Sequence, residues 1–247
     1  MTEEEKVKPS PANNNYTLSM WEQRWSPTDR NITFHQKSGN QLMWKHLDKL
    51  ITENFPGRKP EDLKVLVPLC GKSYDMYLLY KLGCTVVGIE YAPLAITEFF
   101  EDNGLTETNT ANQPYTMTAD GRLILGQGDL FLFNDVHKLP FDKYDVIWDR
   151  GSYEALNEQD RSRYAQLMQS LLDNNGVHML CVHEYDRNEY GGPPLATTKE
   201  ELAEYFGNEK ELTEIESVEL TAEGHEQRER WTQKGLSKMT EVLYVLK

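Results

Sequence analysis

The stretch VLVPLCGKSYD, residues 65–75, carries Gly71, Lys72 and Ser73 near its end, the closing triplet of a phosphate-binding P-loop. A complete loop needs a second glycine five positions before Gly71, so that backbone amides can wrap closely around the phosphates. Leu66 stands there instead. What remains is an apolar run, one turn glycine and a segment with helical spacing, which predicts a strand turning sharply into a helix. Such a turn holds several kinds of nucleotide-like cofactor, so it decides the fold before it decides the ligand.

Reading outward from it, strand-like and helix-like segments alternate. KVLVPL (64–69) leads to YDMYLLYKL (74–82), TVVGIE (85–90) to PLAITEFFED (93–102), and YDVIWD (144–149) to DRSRYAQLMQSLL (160–172), with VHMLCVHE (177–184) following. Pro93 suits the first turn of its helix, where a missing amide costs nothing. RLILGQ (122–127), LTEIESVEL (212–220) and MTEVLYVLK (239–247) are further strand candidates, while residues 103–121 form a polar connection. Before the alternation lie SMWEQRW (19–25) and GNQLMWKHLDKLI (39–51), the second with apolar residues near helical spacing. Residues 1–15 are charged, Asn-rich and Pro-containing, and are expected to be a disordered tail. The pattern predicts one α/β domain over 16–247, a parallel sheet covered on both faces. Ligands then sit beyond the carboxyl ends of the strands, at Pro68–Gly71, Glu90 and Trp148–Gly151.

Composition limits the function. The 247 residues carry a formal net charge of -14, which argues against a nucleic-acid partner because a phosphate backbone calls for a basic surface. No apolar run approaches membrane-spanning length, and the N-terminus MTEEEKVKPS lacks the features of a secretion signal. Cys70, Cys84 and Cys181 are odd in number and widely spaced, and the histidines show no metal-ligand spacing, so neither disulfides nor a metal is expected. The expected setting is soluble, reducing and cytoplasmic.

Glu90 follows Gly71 by nineteen positions, close to the spacing at which an acidic side chain reaches the ribose hydroxyls of a bound cofactor. A dinucleotide fingerprint needs two more glycines than the turn contains. S-adenosylmethionine has a ribose and a sulfonium but no phosphate, and suits a single-glycine turn with an acidic clamp. Taken alone, Gly71 is equally a turn glycine, Glu90 a solvated strand end, and Asp129, beside Gly128 after RLILGQ, a turn aspartate.

PLCGK (68–72), VVGIE (86–90), IWDRG (147–151), WEQRW (21–25), TFHQ (33–36) and CVHEYD followed by GGPP occur in an order that resembles the thiopurine S-methyltransferase family. The resemblance runs from about Trp21 to the end. It implies the class I methyltransferase fold, a Rossmann-like, seven-stranded, mostly parallel sheet whose last strand is antiparallel, with helices on both faces and an N-terminal lid. It further implies a monomer that transfers the methyl group of S-adenosylmethionine to an aromatic or heterocyclic thiol. Some bacterial members act on selenium or tellurium compounds; the alternative is another small acceptor, a selenium, tellurium, halide or inorganic sulfur species, or a silent cofactor-binding relative. Carried over, Trp21 and Trp25 close over the cofactor, Leu69 and Glu90 meet its methionine and ribose parts, and Gly128 and Asp129 its adenine. Phe34 faces substrate, Arg150 faces both cofactor and substrate, and Arg228 is a second substrate-side arginine.

These residue types suit the chemistry. Aromatic faces attract a cation by about 0.5–2 kcal/mol per well-placed ring, although Trp21 and Trp25, four apart, would equally form an apolar helix stripe. An acidic heterocyclic thiol ionises near neutral pH without a dedicated base, so positioning and guanidinium charge from Arg150 and Arg228 would carry catalysis. Against this stand a pairing of Arg150 with Asp149 and a solvated charge run around Arg228. Asp149 is expected to orient Arg150 or relay a proton through water, and His183 to pair with Glu184 at a strand end.

Overall fold

The computed structural model describes residues 15–109, 114–133, 138–207 and 211–247, so the expected tail, apart from Asn15, lies outside the described residues. The strands are β1 (Lys64–Val67), β2 (Thr85–Glu90), β3 (Thr108–Asn109), β4 (Tyr115–Met117), β5 (Leu123–Gln127), β6 (Tyr144–Arg150), β7 (Leu172–Tyr185), β8 (Leu212–Glu219) and β9 (Met239–Leu246). They form one sheet in the order β3-β4-β5-β2-β1-β6-β7-β9-β8. The run β5-β2-β1-β6-β7 is parallel, and β9 lies antiparallel between β7 and β8.

Seven of these strands reproduce the expected sheet, including the antiparallel last strand. The other two, β3 and β4, pair antiparallel along the outer edge of β5. They come from the polar stretch read as a connection, because short edge strands of Thr, Asn, Tyr and Met carry no apolar alternation to reveal them. Strand β1 stops at Val67 rather than Leu69, consistent with Pro68 having no amide to offer the ladder. The helix over Lys199–Phe206 is a further element that the sequence reading lacks, although Thr198 three positions before Glu201 is a helix-start signal, and the Thr198 hydroxyl does accept from the Glu201 amide.

Helices α2 (Gln41–Asn54), α3 (Tyr74–Leu82) and α4 (Pro93–Asp102) cover one face, and α5 (Glu158–Leu171) and α6 (Lys199–Phe206) cover the other. Because both faces are covered, consecutive strand residues are all buried: in β2, Val86, Val87 and Ile89 are sealed from solvent. Each such side chain contributes about 1.5–3 kcal/mol of burial. Asn40 caps α2 by accepting from the Met43 amide, and Gly83 ends α3 at φ +115°, a conformation that favours glycine. Buried Asp75 ties α2 to the sheet, accepting from the Asn40 amide and from the indoles of Trp44 and Trp148. The strand order reverses between β1 and β6, and this places a ligand crevice beyond their carboxyl ends.

Candidate active site

The turn after β1 is wound by residues outside the allowed space of most side chains. Leu69 sits at φ +41° and Gly71 at φ +52°. A Cβ on Gly71 would come within 3.1 Å of the Trp25 ring, so this glycine is needed both for its backbone and for the close approach of an aromatic. Glu90, at the end of the adjacent strand, holds the turn in place. One carboxylate oxygen accepts from the Gly71 amide at 2.8 Å, the other from the Ala92 amide at 2.7 Å. Burial pushes the Glu90 carboxyl up, while the amides of Ala92 and Gly71 pull it down. Each oxygen keeps a second lone pair for a hydroxyl. Lys72, the lysine of the GKS triplet, is engaged with Glu98 and Asp102, both at 2.7 Å.

Beyond this turn opens a cavity of about 390 Å³, within the usual range for small-molecule sites. Asp129 lines it after β5 while accepting from the Phe131 amide. Gly128 is not in the wall; at φ +151° it donates its amide to the Glu90 carbonyl and so positions Asp129.

The N-terminal helix α1 (Leu18–Trp25) and the segment after it form a lid over the cavity. Phe34 stands between Trp21 and Trp25, edge-on to both at 5.8 Å, and all three rings face the cavity. Side chains from the body of the domain and from the lid itself tie the lid down. Asn157 makes a two-way bond with the backbone of Tyr16, and Arg30 forks onto Glu98 of α4 with both bonds at 2.7 Å. Arg30, and then Lys72, hold the Glu98 carboxyl at about 2. Burial and the Lys72 charge pull the half-buried His35 down to about 4, so its ring is neutral at physiological pH.

Arg150 reaches the cavity from the tip of β6. It donates to the Phe34 carbonyl at 3.1 Å, while its buried Nε has no hydrogen-bond partner among the described residues. Asp149 does not serve it. Neighbours on a strand face opposite ways, and Asp149 points into the other layer, where it accepts from Tyr164 Oη at 2.6 Å and the Tyr153 amide. The acidic neighbour of Arg150 is Glu241 of β9, at 4.0 Å.

Arg228 does not reach the cavity, and Arg230 stands where it was expected. Arg228 opens the short helix α7 (Arg228–Thr232) and is exposed, while Arg230 lines the cavity and donates to the Thr33 carbonyl of the lid at 2.7 Å. Two helical positions lie about 200° apart, so one helix cannot turn both arginines inward. Trp231, buried with Leu220, Leu236 and Met239, sets the rotation. Burial, and then the charge of Arg150, pull the Arg230 guanidinium down, which an anion held by the two would offset.

His183 likewise turns away from Glu184, which accepts from Tyr244 Oη. Its ring bonds Glu154 at 2.8 Å, and both line the cavity. Sequence reasoning missed this pair, Asn157 and Arg230. The GGPP stretch does reach the cavity, through Pro193 and Pro194.

The model of the thiopurine S-methyltransferase family matches residues 16–247. The chain belongs to that family. Among curated members, the mouse (Mus musculus) thiopurine S-methyltransferase is 33% identical over 93% of this chain and 91% of its own length. A probable thiopurine S-methyltransferase of zebrafish (Danio rerio) is 34% identical over 93% and 94%. Among solved structures, the S-adenosylmethionine-dependent methyltransferase from Anabaena variabilis aligns with a TM-score of 0.55 at 14% identity, over 93% of this chain and 94% of that one. The 1,6-didemethyltoxoflavin N1-methyltransferase of Burkholderia thailandensis, bound to S-adenosylhomocysteine, aligns with a TM-score of 0.54 at 14% identity, over 93% and 87%. At that identity the likeness establishes the class I methyltransferase fold. Within the thiopurine S-methyltransferase family frame, the lid tryptophans, Phe34, Leu69, Gly71, Glu90, Asp129 and Arg150 gather around one cavity, whereas Gly128 and Arg228 stand outside its wall.

Proposed function

We propose that this chain is an S-adenosylmethionine-dependent methyltransferase acting on an aromatic or heterocyclic thiol of the thiopurine type. The observation that carries the reading is the meeting, in one cavity, of a buried carboxylate clamp and two guanidiniums beneath an aromatic lid. The residues fit the cofactor. Glu90 keeps lone pairs that would take the ribose hydroxyls, Asp129 would accept from the adenine, Gly71 winds the turn and lets the Trp25 ring lie against it, and Leu69 would be an apolar wall for the methionine part. Trp21 and Trp25 present aromatic rings to a cation. When bound, S-adenosylmethionine supplies an electrophilic methyl group on a positively charged sulfur.

The chain's own part is binding and alignment. Arg150 and Arg230 hold an anionic heterocycle, since guanidinium stays charged and offers several donors. Phe34 packs against the substrate ring, and the lid excludes water. Fixing the sulfur in line with the methyl contributes up to about 7–11 kcal/mol of barrier lowering in favourable cases. No helix among the described residues is long and apolar enough to cross a membrane. We read the protein as a cytoplasmic monomer with a small-molecule partner and no nucleic acid, in keeping with its net charge of -14 and its buried free thiols Cys70, Cys84 and Cys181.

Incubation with S-adenosylmethionine and 6-mercaptopurine, followed by mass spectrometry, tests the reading. Methylated thiopurine and S-adenosylhomocysteine in equal amounts are expected. Cofactor binding with no product from any thiol, and product from a selenium, tellurium or halide acceptor instead, would move the chain to another acceptor class.

A further inference from the structure

The cavity contains one proton-accepting device that binding an already ionised thiol does not use. His183, near the end of β7, is only 5% exposed, and Glu154 behind it is fully buried. Glu154 sits in the turn that follows β6, so the two come from adjacent strand ends. One carboxylate oxygen accepts the His183 backbone amide at 2.5 Å, and the other bonds Nδ1 of its ring at 2.8 Å. The carboxylate therefore fixes both the main chain and the ring. Among the described residues nothing in the protein bonds Nε2, yet that atom is not sealed in the core, and the residue lines the cavity. The Trp231 ring, 6.0 Å from the imidazole centre, closes the side of the ring towards α7.

A carboxylate accepts hydrogen bonds and does not donate them, so Nδ1 carries the ring proton and Nε2 presents its lone pair to the cavity. A histidine held in one tautomer by a buried acid, with its free nitrogen facing a ligand, is the arrangement of a general base. We propose that His183, positioned by Glu154, deprotonates acceptor thiols that are not ionised in solution, and so extends the reaction to weakly acidic thiols. This inference rests on the thiol methyltransferase reading above. In the step, Nε2 takes the S–H proton while the thiol sulfur forms its bond to the transferred methyl carbon. The bond from that carbon to the departing sulfur breaks, and its electron pair stays on that sulfur. The positive charge ends on the imidazolium, opposite the Glu154 carboxylate, and the proton then leaves to solvent. A thiopurine that arrives as a thiolate bypasses the base and relies on Arg150 and Arg230.

The test is a series of aryl and benzyl thiols of graded acidity, with kcat/KM measured at one mildly alkaline pH for wild type, His183→Gln and Glu154→Gln. Titration with S-adenosylhomocysteine reports whether each variant is folded. Wild type is expected to hold its rate along the series, whereas the variants lose about 10²- to 10⁴-fold more on the least acidic thiols than on 6-mercaptopurine. Nitrogen-15 NMR of the resting protein adds a readout without turnover, and the Nδ1–H tautomer of His183 is expected. An equal loss on all thiols, or an Nε2–H tautomer, would overturn the base while leaving the methyltransferase intact. If a variant fails to fold, wild type alone decides: a rate that drops along the series with the thiolate fraction excludes a base. Failure of wild type to methylate any thiol, with cofactor bound, would remove the thiol reading and this inference together.

Discussion

The Glu90 carboxylate accepts the Gly71 amide at 2.8 Å, joining the end of β2 to the turn that follows β1. The contact gives one side chain two tasks. It satisfies amides that the sharp turn and the start of α4 leave without ladder partners, and it presents its remaining lone pairs to the cavity. Replacement by Gln keeps the shape but supplies one oxygen and one donor group, so one of the two amides loses its acceptor. An unsatisfied buried amide costs about 1–3 kcal/mol. Glu90→Gln is therefore expected to lower thermal stability and to weaken cofactor binding at least tenfold in titration calorimetry. Unchanged affinity in a folded variant would remove Glu90 from the ribose role.

Arg230 and Arg228 differ by two positions and by nearly everything that surrounds them. Arg230 lies in the cavity wall and reaches the lid carbonyl of Thr33, while Arg228 faces solvent. A charge-assisted hydrogen bond to substrate is worth about 1.5–3 kcal/mol. Arg230→Ala is thus expected to cut kcat/KM for an anionic thiopurine by about ten- to a hundredfold, and Arg228→Ala to change it less than about twofold. The reverse ranking in steady-state kinetics would show that the helix turns over when substrate binds.

The contrast also marks where sequence reading stops. The Gly71–Glu90 spacing was legible because one strand, one helix and one turn fix the distance between them, and both ends fall on the same edge of the sheet. Which arginine of EQRERW faces inward depends on the rotation of a five-residue helix, and Trp231 sets that through packing with Leu236 and Met239 across a separate small core. The partner of His183 lies 29 positions away, and no local pattern encodes it. Strand parity, by contrast, was available in principle: in DR at 149–150 and HE at 183–184, neighbours must face opposite layers, which argues against the pairings Asp149–Arg150 and His183–Glu184.

Leu69 at φ +41° is the one described non-glycine residue in the left-handed region. Left-handed backbone costs a side chain about 1–2 kcal/mol, while the half-buried Leu69 gains part of the 1.5–3 kcal/mol of a full burial. Leu69→Gly is expected to leave the unfolding midpoint nearly unchanged, because the relief and the loss offset each other. The same change removes the apolar wall over the methionine part of the cofactor, so affinity for S-adenosylhomocysteine should fall several-fold. A variant less stable by more than about 2 kcal/mol would show that packing outweighs strain at this turn.

The lid anchors give the protein a two-stage response to acid. His35 titrates at about 4 in the fold against an ordinary 6.5. The unfolded chain binds that proton first, and stability falls as pH drops from 6.5 to 4. Glu98 titrates at about 2 against an ordinary 4.5, so its contribution is whole above 4.5 and disappears as pH falls towards 2. Arg30, its partner, is a third exposed, and solvent screening limits the Glu98 share to about 1 kcal/mol. Urea midpoints measured against pH separate the two. His35→Gln should flatten the curve between 6.5 and 4 and leave the lower part as in wild type, and Glu98→Gln should flatten it only below 4.5. A His35→Gln curve as steep as wild type in the upper window would mean that the imidazole is not held neutral by burial under the lid.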